Sequence, residues 1–203
     1  MTLKRLLLLR HGETTGNIEE RCQGQADVLL TARGRDQVAR VAARLVSEQF
    51  DAIYASDLRR TAETAAAVAA PHGLPVRLDA RLREMSKGVW DGMRWDDIRH
   101  EHAAEFAAWQ ADRDFVPPGG EPLSQVVARL ETLLADLRRD HAGQTVLLVA
   151  HGATLRTLIC LVLAISPEYT WHFHLDNTGL AELVFEPEGA VLTRLNDTCH
   201  LLA

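Results

Sequence analysis

Leu6-Leu7-Leu8-Leu9-Arg10-His11-Gly12-Glu13-Thr14 and Val146-Leu147-Leu148-Val149-Ala150-His151-Gly152-Ala153-Thr154 read alike position for position. Each is an apolar run, one spacer residue, and then His-Gly-x-Thr. A continuous apolar run that stops at a polar residue and glycine has the pattern of a strand buried on both faces, which delivers its last side chain to the end of a sheet. Ligands of open α/β sheets bind at the carboxyl ends of the strands. Two histidines placed this way predict one site assembled from both ends of the chain. The similarity is too local, and its two copies too far apart, for a repeat architecture.

Outward from these strands the sequence alternates helical and extended patterns. Thr31 is a candidate N-cap for a helix reaching Glu48, with Val38, Val41, Ala42 and Leu45 on one face, packed on the strand that ends at Leu9. Ala52 to Ala55 reads as a short strand. Ser56 or Asp57 then caps a helix that runs to about Pro71, and His72-Gly73 closes it with glycine at the C′ position. Val76 to Leu78 reads as a strand, 84–92 as irregular, 93–116 as helical with aromatic residues, and Pro117 to Gly120 as a loop. A long helix over Pro122–His141 buries Val126, Val127, Leu130, Leu133, Leu134 and Leu137. Strand Thr145–Ala150, helix Ala153–Ala164, and strands near Leu180–Phe185 and Val191–Leu195 complete the chain. The expected fold is a three-layer α/β/α sandwich with a mostly parallel, mixed central sheet. With no Pro/Gly linker, residues 1–203 read as one domain carrying a cap segment at about 93–120.

At 203 residues the chain can bury roughly 70% of the surface its unfolded form exposes, so stability requires no metal or disulfide staple. Cys22, Cys160 and Cys199 are odd in number and form no C-x-x-C pair, which points to reduced thiols. The net charge of −6 gives no electrostatic footprint for nucleic acid or an anionic membrane. The Leu6–Leu9 run is too short for the core of a signal peptide, and no apolar segment reaches about 18 residues. The expectation is a cytoplasmic protein with no membrane and no nucleic-acid partner. A homodimer is left open, because one sequence does not separate an exposed apolar edge from core.

Arg10-His11-Gly12-Glu13-Thr14 carries the strongest chemical signal. Gly12 lets backbone approach a ligand closely, and Arg10 offers a planar fork matched to phosphate oxygens. The neutral imidazole of His11 is a nucleophile toward phosphorus. Taken alone, a histidine after a strand reads more readily as a buried structural residue. The second His-Gly and the neighbouring arginine tip that balance. His172, His174 and Asp176 alternate, so on a strand they would share a face able to hold a metal, although a polar wall or exposed residues is the favoured reading. His100-Glu101-His102 reads as solvated. Trp90, Trp95, Phe106, Trp109 and Phe115 are candidates to line a cap, with Trp90 equally suited to core.

These motifs resemble the histidine phosphatase superfamily, the phosphoglycerate mutase-like proteins. Its R-H-G-E-T-x-x-N signature matches Arg10 through Asn17, R-x-Q-G matches Arg21 through Gly24, and S-x-L-x-R-[AT]-x-x-T matches Ser56, Leu58, Arg60, Thr61 and Thr64. L-x-E-x-x-x-G-x-W-[ED]-G matches Leu82, Glu84, Gly88, Trp90, Asp91 and Gly92, and the closing H-G is His151-Gly152. The D-x-P-L-T-x-x-G-x-x-Q element is kept in part, as Asp27, Leu30, Thr31, Gly34 and Gln37, with Leu29 in place of proline. The resemblance implies that His11 forms a phosphohistidine, that Arg10, Arg60 and His151 surround the phosphoryl group, and that Glu84 is the general acid. It further implies that Asn17, Gln23, Gly24 and Gly152 bind substrate, without metal or cofactor.

Phosphatases and mutases share this chemistry. The short interval between Glu84 and His151 and the Pro118-Gly119-Gly120-Glu121 stretch resemble the small bacterial phosphatases of the superfamily, the α-ribazole and broad-specificity phosphatases among them. The expected activity is hydrolysis of a small phosphorylated metabolite with release of inorganic phosphate. The alternatives are a 2,3-bisphosphoglycerate-dependent phosphoglycerate mutase and, outside enzymes, a phosphate-binding interaction module.

Overall fold

A computed structural model of the chain describes residues 2–112 and 115–202. Its centre is a six-stranded sheet ordered β3-β2-β4-β1-β5-β6, built from β1 (Arg5–Arg10), β2 (Ala52–Ala55), β3 (Val76–Leu78), β4 (Thr145–Ala150), β5 (Leu180–Glu186) and β6 (Gly189–Asp197). The first four strands named along the β3-β2-β4-β1 half run parallel; β5 and β6 join antiparallel. The two look-alike segments are neighbours in register, Leu6 against Val146 through Arg10 against Ala150. His11 and His151 therefore leave the sheet side by side.

Alternate side chains of these strands feed two cores. Leu6, Leu8, Val146 and Leu148 pack with Val126, Leu130, Leu133 and Leu137 of α6 (Leu123–Asp140) and with Leu155, Leu158 and Ile159 of α7 (Gly152–Val162). Leu7, Leu9, Leu147 and Val149 pack with Val41 and Leu45 of α2 (Ala32–Leu45) and with Ala65 and Val68 of α3 (Arg59–Ala69). Burial on both faces explains why neither strand shows alternating polarity. The expected three layers are present. Among the described residues no helix is long and apolar enough to cross a membrane.

Several local readings need revision. Thr31 does cap α2, accepting from the Gly34 N–H, but the helix ends at Leu45. Ser56 and Asp57 do not cap α3; Leu58 stands at that position without a side-chain cap bond. Their polar groups are used elsewhere, Ser56 on His151 and Asp57 in an ion pair with Arg83. Gly73 is left-handed at φ 64° after a 3₁₀ turn, as expected of a C′ glycine. Gly12 owes its identity to helix packing rather than to a ligand: a Cβ there would lie 2.7 Å from the Gly34 carbonyl oxygen and 2.8 Å from a Val38 methyl.

The cap segment folds as α4 (Trp95–Glu101) and α5 (Ala103–Ala111), with residues 113 and 114 outside the described residues. It has a small core of its own, Cys22, Trp90 and Ile98, flanked by Met93, Trp95, Phe106, Trp109 and Phe115. Trp90 is fully buried, so it belongs to that core and not to an exposed lining. α1 (Thr15–Ile18) follows His11 directly and carries Asn17.

Leu148 is fully buried between α6, α7 and the site-bearing strands. Leu148→Ala is expected to destabilise the protein by about 2–5 kcal/mol, read from the denaturant midpoint, because the sheet interior cannot collapse around the lost methyl groups.

Candidate active site

At the carboxyl ends of β1 and β4 lies a cleft of about 340 Å³ lined by, among others, Arg10, His11, Asn17, Gln23, Gly24, Arg60, Glu84 and Gly152. His11 is 3% exposed, and its Nδ1 lies 2.7 Å from the carbonyl oxygen of Gly12. That contact assigns the proton to Nδ1 and leaves Nε2 with a free lone pair. Burial first, then the charges of Arg60 and Arg10, hold the His11 imidazole neutral well below the usual histidine range.

His151 is completely buried behind this lining, with its ring centroid 5.3 Å from that of His11. Arg60 Nε donates to His151 Nδ1 at 3.2 Å, so the proton of this ring sits on Nε2, 3.0 Å from Ser56 Oγ. Burial and the Arg60 charge keep it neutral as well. His151 therefore stands directly behind Arg60, next to His11.

The cations are held by oxygens that bear no full charge. Arg60 donates to the carbonyls of Ala26 (2.8 Å) and Gly24 (2.7 Å), and Arg10 to that of Leu175 (2.7 Å). Burial lowers Arg60 to about 10, which leaves it charged at neutral pH. Arg10 Nε is buried with no partner, a donor held ready for an incoming acceptor. Carbonyl partners satisfy the N–H groups without cancelling the charge, which is what an anion site requires.

Gly24 reaches its place through a left-handed φ of 44°, and a Cβ there would fall 1.7 Å from Asp91 Oδ1. Asp91 accepts from the Gln25 and Lys87 N–H groups and from Ser86 Oγ, and so ties the loop under Arg60 to the loop that bears Glu84. The sequence marked Asp91 by motif alone, with no sign of this bridging. Asn17 Oδ1 accepts from the Thr14 N–H and Gln23 Oε1 from the Thr14 hydroxyl, which leaves their NH₂ groups for the cleft.

Glu84 sits across the first turn of α7. Its Oε1 accepts from Met85 N and Thr154 N, with the Thr154 hydroxyl, which donates to the Arg83 carbonyl at 2.8 Å, 3.1 Å away, whereas Oε2 accepts from Ala153 N at 3.1 Å. Gly152 lies between Oε2 and the Arg10 guanidinium, 4.0 and 3.8 Å from the point where its Cβ would be. Oε2 is the less committed oxygen.

Cys22 also lines the cleft, but burial pushes its thiol up to about 12, so it is no nucleophile. His172 ends a 3₁₀ turn and faces Tyr169, while His174 bonds Asp176 at 2.9 Å; the three do not share a strand face. Among the described residues no group of three or more His, Cys, Asp or Glu side chains is arranged to hold a metal ion. Sequence reasoning missed Lys87, Arg156 and Trp171 as cleft residues. Their positions follow no spacing that points at His11.

The family model for the histidine phosphatase superfamily (branch 1) matches residues 6–198. Phosphoserine phosphatase 1 of Hydrogenobacter thermophilus is 34% identical over 198 residues, covering 97% of this chain and 94% of the relative. A glucosyl-3-phosphoglycerate phosphatase of Mycobacterium tuberculosis is 37% identical over 84% of this chain and 80% of its own. The solved α-ribazole phosphatase of Shigella flexneri superposes with a TM-score of 0.90 at 32% identity, covering 96% of both chains. Motifs, fold and relatives agree that this chain belongs to the histidine phosphatase superfamily, as a phosphoric monoester hydrolase.

Proposed function

We propose that the protein hydrolyses a small phosphomonoester, without metal, through a phosphohistidine on His11. The observation that carries this reading is the His11 ring itself, neutral and with its proton fixed on Nδ1 by Gly12, beside the buried Arg60 and the half-buried Arg10. Nε2 attacks phosphorus, the alcohol departs, and water then releases phosphate from the histidine. Each displacement is easier than direct hydrolysis. Arg10 and Arg60, with the NH₂ groups of Asn17 and Gln23, neutralise the equatorial oxygens, and phosphoryl transfer asks mainly for such positioned charge. His151 completes the set. It fixes Arg60 through Nδ1 while its Nε2–H is held by the Ser56 hydroxyl, so it supports the phosphoryl group from behind the arginine.

Glu84 supplies the proton to the leaving alcohol from Oε2 and takes one back from the attacking water. The Met85 and Thr154 N–H groups on Oε1 fix which oxygen does this. Gly24 acts through shape, by carrying the Arg60 acceptor, and Gly152 lines the floor of the cleft between Arg10 and Glu84.

His11→Ala is expected to lower hydrolysis of p-nitrophenyl phosphate by at least about 10³-fold and to abolish acid-labile labelling from a ³²P-phosphoester, with activity of the parent protein insensitive to chelators. Label retained without His11 sinks the mechanism. Glu84→Gln is expected to cost roughly 10²- to 10⁴-fold on alkyl phosphates. The loss in the p-nitrophenol burst should be smaller, because that leaving group departs without protonation. An equal loss in both would assign Glu84 a structural role.

The neutral histidines also set a pH dependence of stability. Unfolded, His11 and His151 titrate near 6.5; folded, both are protonated only far below that. The unfolded chain therefore binds more protons below 6.5, and stability is complete above that pH and falls as pH drops through it. His200 is shifted in the same direction. The slope approaches about 1.4 kcal/mol per pH unit for each buried histidine. Urea midpoints between pH 7 and 5.5 should show it, with a shallower slope in His151→Gln.

A further inference from the structure

Asp176, one of the alternating polar residues that read as a wall or a metal face, holds a turn instead. Residues 176–179 form that turn just ahead of β5, closed by the Gly179 N–H on the Asp176 carbonyl at 2.9 Å. The Asp176 N–H donates to Asn196 Oδ1 at 2.7 Å, Asn196 Nδ2 donates back to Asp176 Oδ2 at 2.8 Å, and His174 Nε2 lies 2.9 Å from Oδ1. The third residue of the turn, Thr178, has a left-handed φ of 55°, which a β-branched side chain seldom adopts. It is fully buried, with its hydroxyl 3.0 Å from His200 Nε2. A backbone held in this way persists only where its surroundings over-determine it, and such positions gather at functional sites.

What the turn grips is the end of β1. The Thr178 N–H is shared between the carbonyls of Arg10 (3.1 Å) and His11 (3.2 Å), and the Gly179 carbonyl accepts from the Arg10 N–H at 3.3 Å. The register of β1 with β4 ends at Arg10, so the His11 carbonyl lies past the ladder and depends on this turn. Asn177 adds the contact that reaches furthest. Its Nδ2 donates to the His11 carbonyl at 3.1 Å and to Asn17 Oδ1 at 3.3 Å, one N–H for each. Asn177 thereby joins the backbone of the histidine to the side chain that offers its NH₂ group to the cleft, without itself lining the cleft.

We infer that Asn177 is a positioning residue for phosphoryl transfer, setting the His11 ring against the Asn17 amide so that Nε2 meets phosphorus in line. This rests on the reading that the cleft cleaves phosphoesters through His11. Displacement at phosphorus is sensitive to the placement of the nucleophile, and an error of about 1 Å can cost about 10²-fold in rate. The left-handed Thr178 is what brings the Asn177 side chain over both partners. The effect belongs to the transition state, because the arginines that hold the phosphoryl group in the ground state are fixed by other carbonyls, those of Leu175, Ala26 and Gly24.

Asn177→Ala is expected to lower kcat for p-nitrophenyl phosphate by about 10- to 100-fold, with KM within about threefold of the parent value. Inhibition by orthovanadate and by inorganic phosphate separates misalignment from a general loss of folded protein. Vanadate accepts the histidine as a fifth ligand and so reports the position of the nucleophile, whereas phosphate in the same site reports ground-state binding. The inhibition constant of vanadate should rise by about the factor by which kcat falls, and that of phosphate should stay within about threefold. Asn177→Leu keeps the branching of the side chain and loses the donor; it should behave likewise, and it carries the comparison if the alanine variant does not fold. A vanadate-to-phosphate ratio unchanged from the parent, or an unchanged kcat in both variants, overturns the inference. In either case His11-dependent hydrolysis by the parent protein leaves the function reading standing. Absence of that hydrolysis removes the function reading and the inference together.

Discussion

Charged guanidinium groups held out of water without carboxylate partners are the constraint around which this molecule is arranged. A buried cation is disfavoured by several kcal/mol unless its donors are satisfied, and pairing it with a carboxylate would remove the field it exists to supply. Carbonyl oxygens resolve the conflict for Arg10 and Arg60. To bring the Gly24 carbonyl to Arg60 the chain must take a left-handed turn, and to hold that turn it spends the carboxylate of Asp91 on backbone N–H groups. Glu84, the one Asp or Glu among the described residues of the cleft lining, is held by the first turn of α7. The neutral histidines follow from the same field, since no further positive charge is tolerated beside it.

Most of the scaffold could be read from hydrophobic pattern. The apolar runs before His11 and His151, the Thr31 cap and the leucine face of α6 are local features whose physics is set within a few residues. Much of the site was legible for a different reason: Arg10, His11, Arg60, Glu84 and His151 occupy motif positions, and the structure brings the first four together on one cleft with His151 directly behind. What escaped were consequences of long-range approach. Ser56 looks like a helix cap because Ser, Thr, Asp and Asn favour that place, but the neighbouring histidine claims its hydroxyl. Lys87 and Arg156 look like ordinary surface charges until the tryptophans of two distant segments close around them. Gly12 suggested a ligand and instead admits a helix.

The relatives share about a third of their residues with this chain, yet their names record different substrates. Such divergence is what the two-part cleft allows. The phosphoryl end is fixed by strands β1 and β4 and by loops tied to one another, whereas the far end is built from α5, the 3₁₀ turn through Trp171 and the loop before α6. Changes in the second part leave the first undisturbed. On the proposed function, specificity falls to the peripheral segments and reactivity to the sheet, the usual division between rigid scaffold and variable loops.

The in-register pairing of β1 with β4 also governs how the protein comes into being. Arg5 lies against Thr145, so the strands that deliver the two histidines meet only after nearly the whole chain between them has been made and closed into a loop. Loop closure over such a span is entropically expensive, and parallel pairing of this kind is slow to nucleate. During synthesis β1 emerges early as an apolar strand whose partner does not yet exist. Such an edge is open to the wrong neighbours until β4 arrives. The step that completes the sheet is the step that creates the site, and a partly folded chain has no partial activity to offer.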